Sequence, residues 1–418
     1  MSVGISDISL YFPQLCMNLE EIAHQRIKED PHWVNRMPRA LASTGQKSMR
    51  FPRFWEDSIT LAAEACRALL EQQKTLALEK IRFLTLGTET SVDMSKPGSN
   101  YVLGILKKAG YQLSSKLTSF QVQHACAGGT LGMLGVAGLL EVASLPGESG
   151  IVLTSDIARY QAPSTAEVTQ GAGAVGLLIE KNPKLLTIDL KTAGFHSEDV
   201  DDFFRPLGST IAKVKGGYSL QCYHESFLAA FEDHCERAGT TPQEEIESID
   251  LWTLHVPYSL MPVGAMLLLL KTHLGLEEPE ARAYLEKKNF FPSLHPASLI
   301  GNIYTGSLYL SLAYSLSLSQ KHGSLVGKKV LMASYGSGNT MVVLTGNLQP
   351  QADEVVSRWK VDSLINEKTN STYEEYLGWI GDTQSREEYL TKFTLAPPPP
   401  GRIHLASLRE DGYREYNL

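Results

Sequence analysis

The sequence predicts an α/β protein built of stacked layers, and three observations carry that expectation. Short apolar stretches of strand length alternate with amphipathic stretches of helix length along most of the chain. The order helix, strand, polar strand end recurs in the second half, which reads as a duplicated unit. Four strand-like stretches lead into polar segments, Gly87-Thr-Glu89, His124-Ala-Cys126, Leu254-His255-Val-Pro and Ser334-Tyr-Gly-Ser-Gly338. In open α/β sheets the ground beyond strand carboxyl ends is where ligands sit.

Taken in order, Val3 to Phe12 reads as a strand stopped at Pro13, and Leu19 to Lys28 as a helix. Glu56 to Gln72 has apolar residues at three- and four-residue spacing, the mark of an amphipathic helix. Ile81 to Leu86 is a buried-strand candidate, and Leu117 to Val122 alternates as a strand does. Leu131 to Ala143 is apolar and rich in small residues, which suits a buried helix. Ile151 to Thr154 and the glycine-rich Gln170 to Ile179 complete the first set of strands. The second half offers a helix from Ser226 to Ala238, a strand from Ile249 to Leu254, an apolar helix from Met261 to Lys271 and a helix beginning near Asn302. A strand at Lys329 to Ser334 follows, with Thr340 to Gly346 as its hairpin partner. Beyond Asn347 the chain turns polar and irregular, with a stiff proline tract at Pro397 to Pro400. The expected organisation is therefore a first half over 1–180, a second half over 181–346 and an appendage over 347–418 packed on the core.

Composition narrows the function classes. A chain of 418 residues with 43% hydrophobic and 20% charged residues is ordinary globular material, enough for two core-sized units. The formal net charge of −8 and the scattered Lys and Arg leave no basic footprint for nucleic acid. Cys16, Cys66, Cys126, Cys222 and Cys235 are an odd number without paired or zinc-type spacing, which points to a reducing compartment and to no metal. The N-terminus lacks the basic and apolar segments of a signal peptide. Met261 to Leu270, read as the longest apolar run, is too short to span a bilayer. A cytoplasmic protein that engages no membrane is expected.

The clearest chemistry lies in Gln123 to Leu131, Gln-His-Ala-Cys126-Ala-Gly-Gly-Thr-Leu. A cysteine at a strand-to-helix junction has its sulfur near the positive end of a helix dipole, which favours the thiolate and nucleophilic attack. Gly128 and Gly129 let another backbone or a substrate come close. Alone, Cys126 would be read as a small core residue. With a carboxylate at Glu89, an imidazole at His255 and a Gly-rich turn at Gly336, the set suffices for acyl transfer with proton abstraction.

At this point the segments resemble the 3-hydroxy-3-methylglutaryl-CoA synthases of the thiolase superfamily, including their polyketide β-branching relatives. The resemblance runs from Leu10-Tyr-Phe-Pro13 to Arg414-Glu-Tyr416. Its specific pieces include Gly87 to Pro97, Thr154-Ser-Asp-Ile-Ala-Arg-Tyr160, Thr169 to Val175, Asp202-Phe-Phe-Arg-Pro206 and Gly301 to Leu312. It implies a thiolase-like five-layered αβαβα fold made of two duplicated halves, usually as a homodimer. It further implies an acyltransferase in which acetyl-Cys126 is deprotonated by Glu89. That acyl-enzyme condenses with an acetoacetyl or other β-keto acyl thioester positioned by His255, and hydrolysis releases a 3-hydroxy-3-methylglutaryl thioester. The backbone N–H groups of Cys126 and Ser337 match the family's oxyanion pair, Gly336 lies in the same turn, and Asn302 and Tyr160 resemble acyl-pocket residues. The substrates so implied are thioesters of CoA or of acyl-carrier-protein phosphopantetheine, in the mevalonate route or in β-branching, with no permanently bound cofactor.

Two departures bear on the carry-over. Ala127 and Gly128-Gly129 stand where the family usually has an aromatic and bulkier residues, which would widen the acyl pocket or loosen its packing. Between His255 and Lys271 there is no lysine to meet a CoA arm, which opens the way to a carrier protein. Two other readings use the same residues. A decarboxylating enzyme like ketoacyl-ACP synthase III would need Cys126, His255 and Asn302 but not the base Glu89, and a non-catalytic partner subunit would have lost one of these groups.

Overall fold

The computed structural model describes residues 2–381, 392–393 and 396–418. In the first half, β1 (Val3–Tyr11), α1 (Ser58–Gln72), β2 (Ile81–Gly87), α2 (Gly98–Lys108), β3 (Thr118–Val122), α3 (Gly128–Ala143), β4 (Ser149–Ala158), β5 (Gly171–Lys181) and β6 (Leu186–Ile188) follow one another. Their strands form one sheet in the order β3-β2-β4-β5-β1-β6. Helix α1 starts where the chain supplies a cap. The Asp57 carboxylate accepts from Ile59 N and Thr60 N, and Thr60 Oγ1 accepts from Asp57 N.

In the second half come β7 (Gly194–Ser197), β8 (Phe203–Phe204), β9 (Lys213–Val214), α4 (Gly216–Ala238), β10 (Leu251–Leu254), α5 (Met261–Leu274), α6 (Ser307–Gln320), β11 (Lys329–Gly336) and β12 (Thr340–Asn347). The sheet order is β10-β11-β12-β7, with β8 and β9 forming a separate small hairpin. Strand β10 is parallel to β11, β11 antiparallel to β12, and β12 antiparallel to β7. The first sheet repeats that pattern: β2 is parallel to β4, β4 antiparallel to β5, and β5 antiparallel to β1. The duplication read from rhythm is thus a duplication of topology, and β2 and β10 are equivalent strands. Glu89 and His255 stand just past their ends.

Side-chain alternation along the strands gives the layers. Val330 and Met332 of β11 join a core shared with α3 and α6, whereas Leu331 and Ala333 join the core under α4 and α5. In β4, Val152 faces α3 and α6, while Ile151 and Leu153 face α1 and α2. Five layers result: α1 with α2, a sheet, α3 with α6, a sheet, and α4 with α5. Each fully buried aliphatic side chain in these three cores stabilises the stack by about 1.5–3 kcal/mol.

Several described segments after Asn347 pack on the first half. A strand at Thr369–Asn370 pairs in parallel with Leu15–Asn18, which itself pairs with Ser48–Phe51. Trp359 Nε1 donates to Asp7 Oδ1 at 2.7 Å. The buried Arg50 guanidinium donates to the carbonyls of Pro13, Ile365 and Glu367 at 2.7–2.9 Å. Ile403, Leu405 and Tyr416 pack into the core under α1 and α2.

Three features differ from the expectations. The first sheet extends beyond residue 180, because β6 pairs with β1. Helix α4 begins at Gly216 and not at Ser226. Gly216 and Gly217 are poor helix formers, but Asp202 pins that turn: it accepts from Ser219 Oγ at 3.1 Å, from Tyr335 Oη at 2.8 Å and from Gly338 N at 2.9 Å. The third concerns the apolar run at Met261, which is exceeded by Ala125–Ala143, 19 residues long and apolar enough to cross a membrane by length and composition. In the fold this stretch carries the central helix α3, and 56% of its most apolar window is buried.

Candidate active site

Cys126 sits on the turn between β3 and α3 and is nearly buried. Ala125, just before it, has φ of 38°, a left-handed conformation that costs a side-chain-bearing residue of the order of 1 kcal/mol or more. The strain is held by tight packing on both sides. A Cβ on Gly129 would meet Thr305 O at 3.0 Å, and a Cβ on Gly336 would lie 2.6 Å from His124 O and 2.7 Å from Ala127 Cβ. Only glycines allow these approaches. The Gly336 turn of the second half therefore lies directly on the Cys126 turn of the first. Ala127, fully buried, is part of that contact.

The thiol of Cys126 donates to Glu89 Oε2 at 3.5 Å. The helix N-terminus does not leave a standing thiolate here. Burial, and after it the negative charges of Glu89 and Asp156, push the thiol well above its ordinary range. Glu89 has a side chain only 5% exposed, and burial raises its carboxyl to about 7, against the opposing pull of Arg205. Arg205 Nη2 donates to Glu89 Oε1 at 3.0 Å and Nη1 to Glu89 O at 2.6 Å. Arg205 follows β8, so the small hairpin carries the cation that holds Glu89.

Asp156 organises the floor below. Its carboxylate accepts from Thr88 Oγ1 at 2.9 Å, Glu89 N at 2.9 Å, Thr90 Oγ1 at 2.8 Å and Thr305 Oγ1 at 2.5 Å. The ends of β2 and β4 are thereby tied to the segment that enters α6. That segment begins at Asn302, whose Oδ1 accepts from Tyr304 N at 2.8 Å. Tyr304 has φ of 43°, a second strained position. Gly171 lets the chain at Gly301 and Asn302 pass, since a Cβ there would meet Asn302 N at 2.6 Å. Tyr160 is buried, its N–H bonded to Gln170 Oε1 at 2.9 Å, and its ring stacks edge-on to Phe203 at 6.4 Å. Phe203 in turn meets Tyr304 at 5.9 Å, so Cys126, Tyr160, Phe203 and Tyr304 form one small apolar cluster.

His255 is 1% exposed, and burial pulls its imidazole down to about 3, so the ring is neutral at ordinary pH. It makes no hydrogen bond to Cys126 or Glu89. Its link to them is the segment from Asn302 to Ser307, since Ser307 Oγ lies 2.6 Å from His255 Nδ1. Ser337 is half-buried beside Gly336 on the turn between β11 and β12. A cavity of about 570 Å³ reaches Glu89 and Arg205 from the side of Arg53, Arg159 and Trp379. Sequence reasoning assigned no role to Arg205, Asp156, Thr305 or Ser307, although each lies within a segment it singled out. A charged or hydroxyl residue inside an otherwise apolar strand-end motif is the signal they carried.

What can such a constellation do? A buried cysteine sharing a hydrogen bond with a carboxyl poised near neutrality can take up an acyl group and have a proton removed beside it. Two models of known families match the chain. One described as hydroxymethylglutaryl-coenzyme A synthase N terminal matches residues 1–184, and its C-terminal counterpart matches 279–402. The first takes in Glu89, Cys126 and Tyr160, the second Asn302, Gly336 and Ser337, and His255 falls between them. A hydroxymethylglutaryl-CoA synthase of Enterococcus faecalis is 28% identical over 384 residues, 92% of each chain. One of Haloferax volcanii is 26% identical over 413 residues, 90% of each chain. The structure of MvaS in complex with 3-hydroxy-3-methylglutaryl coenzyme A superposes with a TM-score of 0.86 at 29% identity, over 100% of this chain and 99% of that one. PksG from Bacillus subtilis, at 21% identity and a TM-score of 0.83 over 100% and 99%, shares the fold. With matches along nearly its whole length and the thiolase-like layering in place, the chain belongs to the hydroxymethylglutaryl-CoA synthase family of condensing acyltransferases.

Proposed function

We propose that the chain joins an acetyl group held on Cys126 to an acetoacetyl thioester and releases a 3-hydroxy-3-methylglutaryl thioester. The observation that carries this assignment of roles is the 3.5 Å contact between Cys126 Sγ and a Glu89 carboxyl held near 7. In the first step the thiol gives its proton to Glu89, the sulfur attacks the acetyl carbonyl, and the carrier leaves as a thiolate that takes the proton back. In the second step Glu89 removes a proton from the methyl group of acetyl-Cys126. The resulting carbon attacks the ketone of the acceptor, whose oxygen takes the proton and becomes the hydroxyl. Water then cleaves the Cys126 thioester. Backbone N–H groups of Cys126 and Ser337 serve the oxyanions, because the Gly336 turn lies on the Cys126 turn. His255 positions the acceptor. Asn302, with its carbonyl oxygen taken by Tyr304 N, offers its amide N–H groups to the acyl pocket beside Tyr160.

The test separates the half-reactions. Glu89→Gln should still accumulate acetyl-Cys126, slowly, while condensation falls by about two to four decades. Near-normal condensation in that variant would overturn the assignment of the base.

For the carrier we propose that at least one substrate rides on a carrier protein. Gly264 supports this, because a Cβ there would stand 2.5 Å from His224 Cε1, leaving no room for a long basic side chain. Lys271, the first lysine after His255, is paired with Glu277 at 3.2 Å in the last turn of α5. A CoA ester suits the other substrate, in keeping with the CoA ligand of the MvaS complex. We also propose a homodimer in the cytoplasm. Strand β3 is an edge strand, and Phe120, Leu131, Leu134 and Leu139 are only partly buried beside Val142, which is 84% exposed. An apolar face next to an open strand edge suits pairing with a second copy. The five free, buried cysteines suit a reducing compartment.

A further inference from the structure

His255 leaves one ring nitrogen without a partner. Nε2 is buried and bonded to nothing among the described residues, and a buried polar group left so is destabilising. Such an atom is a place kept for a substrate atom, and which kind of atom fits depends on whether Nε2 carries the ring proton. The neutral ring holds one proton, so the question is settled at the other nitrogen.

Nδ1 lies 2.6 Å from Ser307 Oγ. Ser307 is the first residue of α6 and is buried. Its oxygen also accepts the backbone N–H of Val256 at 3.3 Å. Among the described residues, the Ser307 hydroxyl makes no hydrogen bond to a carbonyl or carboxylate, which leaves Nδ1 as the acceptor for its proton. Nδ1 must then present its lone pair to Ser307, and the ring proton sits on Nε2. The backbone of His255 is fixed on both sides of this contact. Its N–H donates to Ala333 O at 2.8 Å, and its carbonyl accepts from Tyr223 Oη at 2.8 Å.

We infer that Ser307 is a positioning residue that holds His255 in the Nε2–H tautomer, so that the imidazole offers an N–H to the ketone oxygen of the acceptor. This rests on the reading that His255 positions the acceptor. The N–H is the useful face, because negative charge grows on the acceptor ketone oxygen as the new carbon–carbon bond forms, and a preorganised donor stabilises it. The proton stays on Nε2 throughout. Without Ser307 the ring can carry its proton on Nδ1 and turn a lone pair toward that oxygen, which repels it.

The test uses the full-length enzyme labelled with ¹⁵N-histidine, with His255 assigned among the 11 histidines by its loss in His255→Ala. Long-range proton–nitrogen correlation should give Nε2 a protonated-type shift and Nδ1 an unprotonated one. Ser307→Ala should lose that pattern, acetylate Cys126 at the normal rate, and condense at least about tenfold more slowly. Ser307→Thr, which keeps the hydroxyl, should restore both pattern and rate. An Nδ1–H pattern in the unmodified enzyme would overturn the inference. So would normal condensation by Ser307→Ala alongside slow condensation by His255→Ala, which leaves the role of His255 standing. Normal condensation by both variants would overturn that role as well.

Discussion

Replacing Arg205 by glutamine should move the acid limb of the condensation rate to higher pH. The guanidinium touches Glu89 through two hydrogen bonds, at 3.0 Å to the carboxylate and 2.6 Å to the carbonyl, and is itself largely buried. Opposite charges about 4 Å apart attract by about 4 kcal/mol at an effective dielectric near 20. One pKa unit corresponds to about 1.4 kcal/mol, so the cation is worth up to about 3 units, less what water entering the vacated space returns. We expect a rise of about 1 to 3 units from a starting value of about 7. The sign follows from the chemistry. As the proposed base, Glu89 works as a carboxylate, so a higher pKa lowers the ionised fraction at pH 7 by about fivefold or more and leaves it unchanged well above the new value. The assay is rapid-quench condensation of preformed acetyl-enzyme with acetoacetyl-CoA across pH. A slow variant that recovers at high pH supports the ion pair as a tuner of the base. An unshifted midpoint, or a loss that alkaline pH does not repair, would refute it.

Two further outcomes follow from packing. Gly336→Ala places a methyl 2.6 Å from His124 O and 2.7 Å from Ala127 Cβ, so the two turns must part; both half-reactions should slow together, with a stability loss of about 1–3 kcal/mol in urea unfolding. Gly104→Ala, in a helix with open space around it, serves as the control and should be neutral or slightly stabilising. Arg50→Met strands three carbonyl acceptors between the first half and the appendage, two of them buried, and urea unfolding should register a loss of about 3 kcal/mol or more.

Much of the architecture was legible because strands buried on both faces and helices buried on one leave strong periodic signals. The ends of β2, β3, β10 and β11 were readable for the same reason: an apolar run that stops at Glu89, Cys126, His255 or Gly336 marks where the sheet opens. What periodicity cannot carry is pairing across long separations. Arg205 gives no sign in sequence that its partner is Glu89, and the strands Leu15–Asn18 and Ser48–Phe51 find each other across intervening helices. The first turn of α4 is helical because Asp202 and the Gly338 turn hold it, against the weak propensity of Gly216 and Gly217. The ionisation of Cys126 went the other way from the dipole argument, since burial beside two carboxylates outweighs a helix terminus whose contribution is about 1 kcal/mol.

The most direct measurement is the intact mass of the protein, followed by peptide mapping, after mixing with acetyl-CoA and again after a chase with acetoacetyl-CoA. We expect an acetyl increment on the peptide holding Cys126, its conversion to a 3-hydroxy-3-methylglutaryl thioester in the chase, and neither in Cys126→Ala. An acetyl group that Cys126→Ala still acquires at the normal rate, or one that the chase leaves untouched on Cys126, would contradict the assignment of this cysteine as the nucleophile of the condensation.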